Sequence, residues 1–220
     1  EYDRATSLLE KSLAISKELG NNWFVANSTH NLGLIAYNLG DIDRAQALVE
    51  ENIKRWRELG DKWGVASSLR LMGNICDDRS DFFRSRAIYE ECVEIYREIG
   101  NKWGVAWTMH DLGDIETRFE NYDEAEALHR ENLAIFEEIG DKTGITMSLH
   151  RLGRISVGRS RYDDAAALFN QSLEVARGLG NRPVIAFSVG GLAEVASARG
   201  NLELAAQLYG AAQAALNTIG

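Results

Sequence analysis

The chain has 220 residues with a formal net charge of −9, one proline and two cysteines. An acidic balance of this size argues against a nucleic-acid surface, which needs a basic stripe, and two thiols make no disulfide framework. A single proline fits an almost wholly helical chain, because proline breaks helix interiors.

Taken in order, the first twenty residues (EYDRATSLLEKSLAISKELG) read as one amphipathic helix closed by Gly20. From there the chain repeats itself. Gly20, Gly60, Gly100, Gly140, Gly180 and Gly220 fall forty residues apart, and each before the last is followed by Asn or Asp. Leu-Gly recurs at Leu32-Gly33, Leu112-Gly113 and Leu152-Gly153, with Met72-Gly73 and Leu192-Ala193 as variants. Ala5, Ala45, Ala125, Ala165 and Ala205 mark a second series, with Ser85 in the remaining slot. A fixed period in this range is the signature of a solenoid.

The unit from Asn101 to Gly140 shows why. Val105, Met109, Leu112, Ile115 and Phe119 keep a three-to-four-residue spacing and share one helical face. Tyr122, Ala125, Leu128, Asn132, Ile135 and Ile139 do the same in its second half. Asn101 suits an N-cap, and Gly140 suits the left-handed residue that closes a helix. Glu120-Asn121 leaves room only for a short turn, so the pair is an antiparallel hairpin. Gly113 and Ala125 are expected where two helix backbones come close. Full repeats are expected at 21–60, 61–100, 101–140, 141–180 and 181–220, after a half repeat at 1–20. That makes one repeat domain of about eleven helices. Since it opens in mid-repeat without Met, it reads as a fragment of a longer protein.

The pattern resembles the tetratricopeptide repeat family, through Leu112-Gly113, Tyr122 and Ala125. It departs in its longer period and in lacking a proline after the second helix. Forty-residue variants are similar to those of bacterial signalling ATPases and of LuxR- or MalT-like regulators. The resemblance implies an all-α, right-handed superhelical solenoid of antiparallel helix hairpins.

It also implies that first helices line a concave groove. Projecting the repeat then places His30, Arg70, His110 and His150 in one register. Asn31, Asp111 and Arg151 stand in a second, and Asn74, Asp114 and Arg154 in a third. Trp107, Met147 and Phe187 form an apolar row. A protein or peptide ligand is expected there, with Asp111–Arg151 and Asp114–Arg154 as ligand contacts or inter-repeat ion pairs. The family's carboxylate clamp is matched only at Arg70, Asn74 and Arg151. Asp111 and Met147 replace its Asn and Lys, so a C-terminal carboxylate is not expected.

Several readings recede. The histidine row is interrupted by Arg70, and residues one repeat apart make a poor tetrahedral shell, so no metal and no cofactor is expected. There is no phosphate loop or nucleophile elbow, so no enzyme is expected. No apolar run is long enough to cross a bilayer. Trp23, Trp63 and Trp103 open three first helices and are expected to pack on the end of the preceding hairpin. Cys76 and Cys92 read as small packing residues and fit a cytoplasmic setting.

The last helix breaks the pattern. Leu204, Ala211, Ala214 and Thr218 line one stripe where earlier repeats carry charge, and Glu203 is the sole charged residue after Asn201. Solenoid ends normally need a polar cap, so this stripe is expected to be covered by another element or a second copy. The sequence therefore points to a non-enzymatic protein-interaction scaffold. By the resemblance to the forty-residue variants it would be the partner-binding or sensor segment of a bacterial signalling or transcription regulator. The alternatives are a peptide or small-molecule sensor domain and a eukaryotic polarity-type adaptor.

Overall fold

A computed structural model describes residues 2–217. Among them are eleven helices and no strand. These are α1 (Tyr2–Glu18), α2 (Asn22–Asn38), α3 (Ile42–Leu59), α4 (Lys62–Asp78), α5 (Phe82–Glu98) and α6 (Lys102–Arg118). Then follow α7 (Tyr122–Ile139), α8 (Lys142–Gly158), α9 (Tyr162–Leu179), α10 (Arg182–Ala198) and α11 (Leu202–Asn217). The chain forms two compact units, one ending at Asp111 and the other starting at Leu112, within α6. Inside each unit consecutive helices pack as antiparallel hairpins, and successive first helices approach one another, α2 with α4 and α8 with α10.

Two turns alternate along the chain, and both need a left-handed residue. Between hairpins this is the periodic glycine, with Gly60 at φ 70° and Gly140 at 72°. The Gly140 and Asp141 amides bond back to Glu137 and Phe136, which ties off the end of α7. The next residue caps the following helix: Asn21, Asp61, Asn101, Asp141 and Asn181 each accept from the backbone amide three residues on. Within hairpins the left-handed position carries Gly40 and Gly200 at the ends of the series, but Ser80, Glu120 and Ser160 between them. Pro183 falls in the first turn of α10, after its N-cap Asn181, where a missing amide costs nothing.

The helical glycines do a different job from the one the sequence suggests. A Cβ at Gly73 would strike the Tyr89 ring, at Gly113 the His129 ring, and at Gly153 the Phe169 ring. At these three positions the glycine thus makes room for a ring on its partner helix rather than for a backbone, whereas Gly33 faces the Val49 side chain. The periodicity marks the close approach without saying which atoms fill it. A second set repeats the device between hairpins, where Gly64 faces Trp56, Gly104 faces Tyr96 and Gly144 faces Phe136. In the fourth such slot the sizes are exchanged: Ala176 stands for the ring and Val184 for the glycine.

Polar pairs, fully buried in all but the first, join each second helix to the next first helix. They are Ser12 with Ser28 (3.1 Å), Asn52 with Ser68 (3.3 Å) and Cys92 with Thr108 (3.5 Å) in the first unit. In the second unit they are Asn132 with Ser148 (2.6 Å) and Ser172 with Ser188 (3.0 Å). Cys92 is therefore more than a small packing residue, since its thiol also donates to the Ala66 carbonyl at 3.1 Å. Burial pushes that thiol up to about 12, so it stays protonated.

At the hairpin turns Arg79–Asp43, Arg159–Asp123 and Arg199–Asp163 tie neighbouring repeats together. Glu126 on α7 is buried among Arg130 (2.5 Å), Arg159 (3.2 Å) and Arg161 (2.8 Å). Burial pushes its carboxyl up, but the three guanidiniums outweigh this and hold it below the usual range.

Trp23 adds a contact that the periodicity does not specify. Trp23 makes its ring and hydrogen-bond contacts forward along the chain. Its ring stands 5.9 Å from Trp56 on α3, and its indole N–H donates to Asp61 of the next repeat at 3.1 Å. A buried or half-buried indole needs an acceptor, and that N-cap carboxylate is the one it reaches.

Candidate functional site

In the first unit the expected groove residues mostly bond to other groups of the same unit. The His30 ring on α2 stands between two α4 hydroxyls, with Nδ1 3.2 Å from Ser68 and Nε2 3.3 Å from Ser67. Burial lowers its pKa, so it is neutral near pH 7. Asn31 turns back to the Asn27 carbonyl at 2.8 Å. The Tyr89 hydroxyl donates to Asn74 at 2.6 Å. Arg70 donates to Asp111 at 2.7 Å, and its guanidinium lies 5.8 Å from the centre of the Trp107 ring. Trp107 in turn contacts His110, at 5.8 Å between rings. His110 is 3 % exposed, which leaves almost no surface for a partner. The polar rows here fasten α2, α4 and α6 together, with Arg70–Asp111 a mostly buried pair.

The second unit is different. Arg151 on α8 donates to Asp114 on α6 at 2.7 Å, and the other oxygen of Asp114 lies 3.6 Å from Nε2 of His129. The expected pairing of Asp114 with Arg154 does not form, because Arg151, one turn earlier on the same helix, takes the carboxylate. Arg154 is exposed and has no ion-pair or hydrogen-bond partner among the described residues.

Around these arginines the surface is hollow on two sides. A cavity of about 260 Å³ opens between α8 and α10, lined by Thr146, Met147, His150, Arg151, Arg154, Val184 and Phe187. A larger one of about 460 Å³ includes Asp114, Arg118, Tyr122, Arg151, Arg154 and Glu194. Phe187 is 56 % exposed, a large apolar cost unless something covers it. The His150 ring packs between Phe169 (5.3 Å) and Phe187 (6.2 Å). Burial, helped by the charges of Arg151 and Arg154, lowers its pKa to about 4. It therefore presents a neutral, largely apolar wall at physiological pH, and pH sensitivity near neutrality is not built into it.

Thus the structure brings together Met147, His150, Arg151 and Arg154 with Asp114 close by, while His30, Asn31, Arg70, Asn74, Trp107, His110 and Asp111 form the internally bonded set of the first unit. Sequence reasoning missed Val184 as a cavity wall. Its signal was present, since it is the one branched apolar residue in the slot held by Gly64, Gly104 and Gly144. Among the described residues no three His, Cys, Asp or Glu side chains are grouped to hold a metal ion. Nor is any helix long and apolar enough to cross a membrane. On α11, Leu204 is 41 % exposed, and Ala211 and Ala214 are also exposed, whereas Thr218 lies outside the described residues.

Compared with known proteins, the chain matches the family model described as tetratricopeptide repeat over residues 24–98, 64–138, 104–178 and 144–218. No curated protein matches it. Among solved structures it is similar to BtubC (BKLC) from P. vanneervenii, with a TM-score of 0.83 and 18 % identity, covering all of this chain and 92 % of that one. It is similar to a Rap protein complexed with Competence and Sporulation Factor, with a TM-score of 0.74 and 13 % identity, over 87 % of this chain and 53 % of that one. The STAND protein with a tetratricopeptide repeat sensor from Pyrococcus horikoshii gives 0.78 and 14 %, over 96 % of this chain and 34 % of that one. Identities this low carry the fold alone.

Proposed function

The chain belongs to the tetratricopeptide repeat family, and from that premise we propose that it is a non-enzymatic interaction scaffold that holds a peptide segment of a partner against α8 and α10. The observation that carries this reading is the cavity between those helices, with Phe187 half bare at its mouth. An apolar pocket with a few convergent polar groups gives a peptide both an anchor and a direction. At about 260 Å³ the pocket is smaller than the roughly 300–1,000 Å³ of small-molecule sites. It suits one side chain of a longer ligand better than a whole small molecule, which favours the peptide reading over the small-molecule one.

The wider setting we propose is the partner-binding or sensor segment of a bacterial signalling regulator in the cytoplasm. Support comes from the likeness in fold to the STAND sensor and to the Rap protein crystallised with its factor. For the α11 stripe of Leu204, Ala211 and Ala214 we propose a contact with a second copy, since small side chains let helices approach closely. Light scattering should show an association that Leu204→Glu abolishes, and a monomer at all concentrations rules that contact out.

The central test is a selection of displayed random twelve-residue peptides against the immobilised chain. Enrichment is expected for the wild type and its loss for Phe187→Asp, whose far-ultraviolet spectrum should stay helical. Absence of enrichment, or enrichment indifferent to Phe187→Asp, overturns the reading.

A further inference from the structure

Resting on that reading, we propose that the second unit selects peptides in which a carboxylate side chain stands close to a large apolar one. The apolar group enters the cavity walled by Met147, Val184 and Phe187, and the carboxylate pairs with Arg154.

Charge decides this. The chain as a whole is acidic, at −9, so a guanidinium left without a counter-ion runs against its own background. Arg151 beside it is already committed to Asp114 at 2.7 Å. Arg154 is the cation at this cavity that no acid of the described residues claims. Its neighbour His150 is neutral near pH 7 and adds no competing positive charge. Two acids line the larger hollow but not the apolar cavity: Asp114, which Arg151 holds, and Glu194, which is the one left to be weighed against the idea. A ligand carboxylate therefore meets Arg154 from the apolar side, where the low-dielectric walls of Phe187 and Val184 strengthen a charge contact. Exposed ion pairs are weak in water, so the apolar anchor supplies affinity and Arg154 supplies discrimination.

Geometry limits the spacing. Met147 and Arg154 are seven residues apart on α8, about two turns or 10 Å. An extended peptide rises about 3.3 Å per residue, so acid and anchor fall within about three residues of each other.

The same displayed library tests this, with readouts that separate the two proposals. Enriched peptides should carry Asp or Glu within about three positions of Leu, Phe or Trp. A representative, made with acetylated and amidated ends, should bind about tenfold more weakly after its acid is changed to the amide. Arg154→Gln should erase that difference, Lys11→Gln on α1 should not, and Glu194→Gln should tighten the acidic peptide. Enrichment that depends on Phe187 but ignores acids overturns this inference and leaves the scaffold reading standing. Acid preference that survives Arg154→Gln overturns it as well, as does displacement of the peptide by millimolar inorganic phosphate alone, which would mark a mere anion site. Failure of any peptide to enrich removes both.

Discussion

Glu120 sits at φ 60° in the turn inside the third hairpin, where Gly40 and Gly200 serve at equivalent turns. A side chain in that region costs roughly 1–2 kcal/mol relative to glycine, while glycine loses part of the gain to its freer unfolded chain. Glu120→Gly should therefore stabilise by about 0.5–1 kcal/mol, read as a rise in melting temperature of a few degrees. A fall would mean that the Glu120 side chain makes contacts worth more than the strain. His150 gives a second residue-scale prediction. Its pKa lies at about 4 in the folded chain against an ordinary 6.5, so the unfolded chain takes up the proton first. Stability from this group is complete above pH 6.5 and declines as pH falls toward 4. Near pH 4.5 the loss is about 2.5 kcal/mol. Urea midpoints at pH 7 and 4.5 should drop less for His150→Gln than for the wild type. Taking the difference between the two proteins removes carboxylates such as Glu126, which also lose stabilisation in acid.

Between helices, the pairing of a ring with a glycine governs stability. Trp56→Ala leaves a cavity costing about 3–5 kcal/mol, and Gly64→Val alone drives a side chain into the indole. Together they reproduce the exchange already present at Ala176 and Val184. The double variant should thus be more stable than the sum of the singles by 1–3 kcal/mol, measured as a double-mutant cycle. Strict additivity would show that the two slots do not share volume. The same pairs show how far the sequence could be read. Helix ends, caps and the eleven-helix count were legible because capping and left-handed glycine are local chemistry that recurs with the period. The partners across helices were not, because periodicity fixes a position along a helix but not the rotamer that leaves it. Gly113 was read against backbone and faces His129; Asp114 was matched with Arg154 and meets Arg151, one turn away. Bonds between the groove rows were hidden for the same reason, since aligned polar residues on adjacent first helices, such as Arg70 with Asp111 and Arg151 with Asp114, pair with each other. Arg154 stands out only once those internal bonds are drawn.

In stacked repeats each helix is stabilised by its neighbours, so local opening follows position in the stack. Within the first unit α1 contributes only Ser16 to the buried set, whereas α4 buries Val65, Leu69, Leu71, Met72 and Ile75 among others. Within the second unit α11 buries Ala205 and Ala212, whereas α9 buries Phe169, Leu173 and Ala176. Native-state hydrogen exchange should release α1 and α11 first, and α4 and α9 last. The helix that carries Phe187 sits next to one of the weak ends: α10 is covered by α9 and α11, and α11 is itself lightly held. Peptide binding to α8 and α10 adds apolar cover where it is scarce, so an enriched peptide should slow exchange in α10 more than in α4 or α5. Protection that rises equally in every helix would report a general stabilisation and place the contact elsewhere. Protection confined to α8 and α10 ties the ligand to the cavity of Met147, Val184 and Phe187.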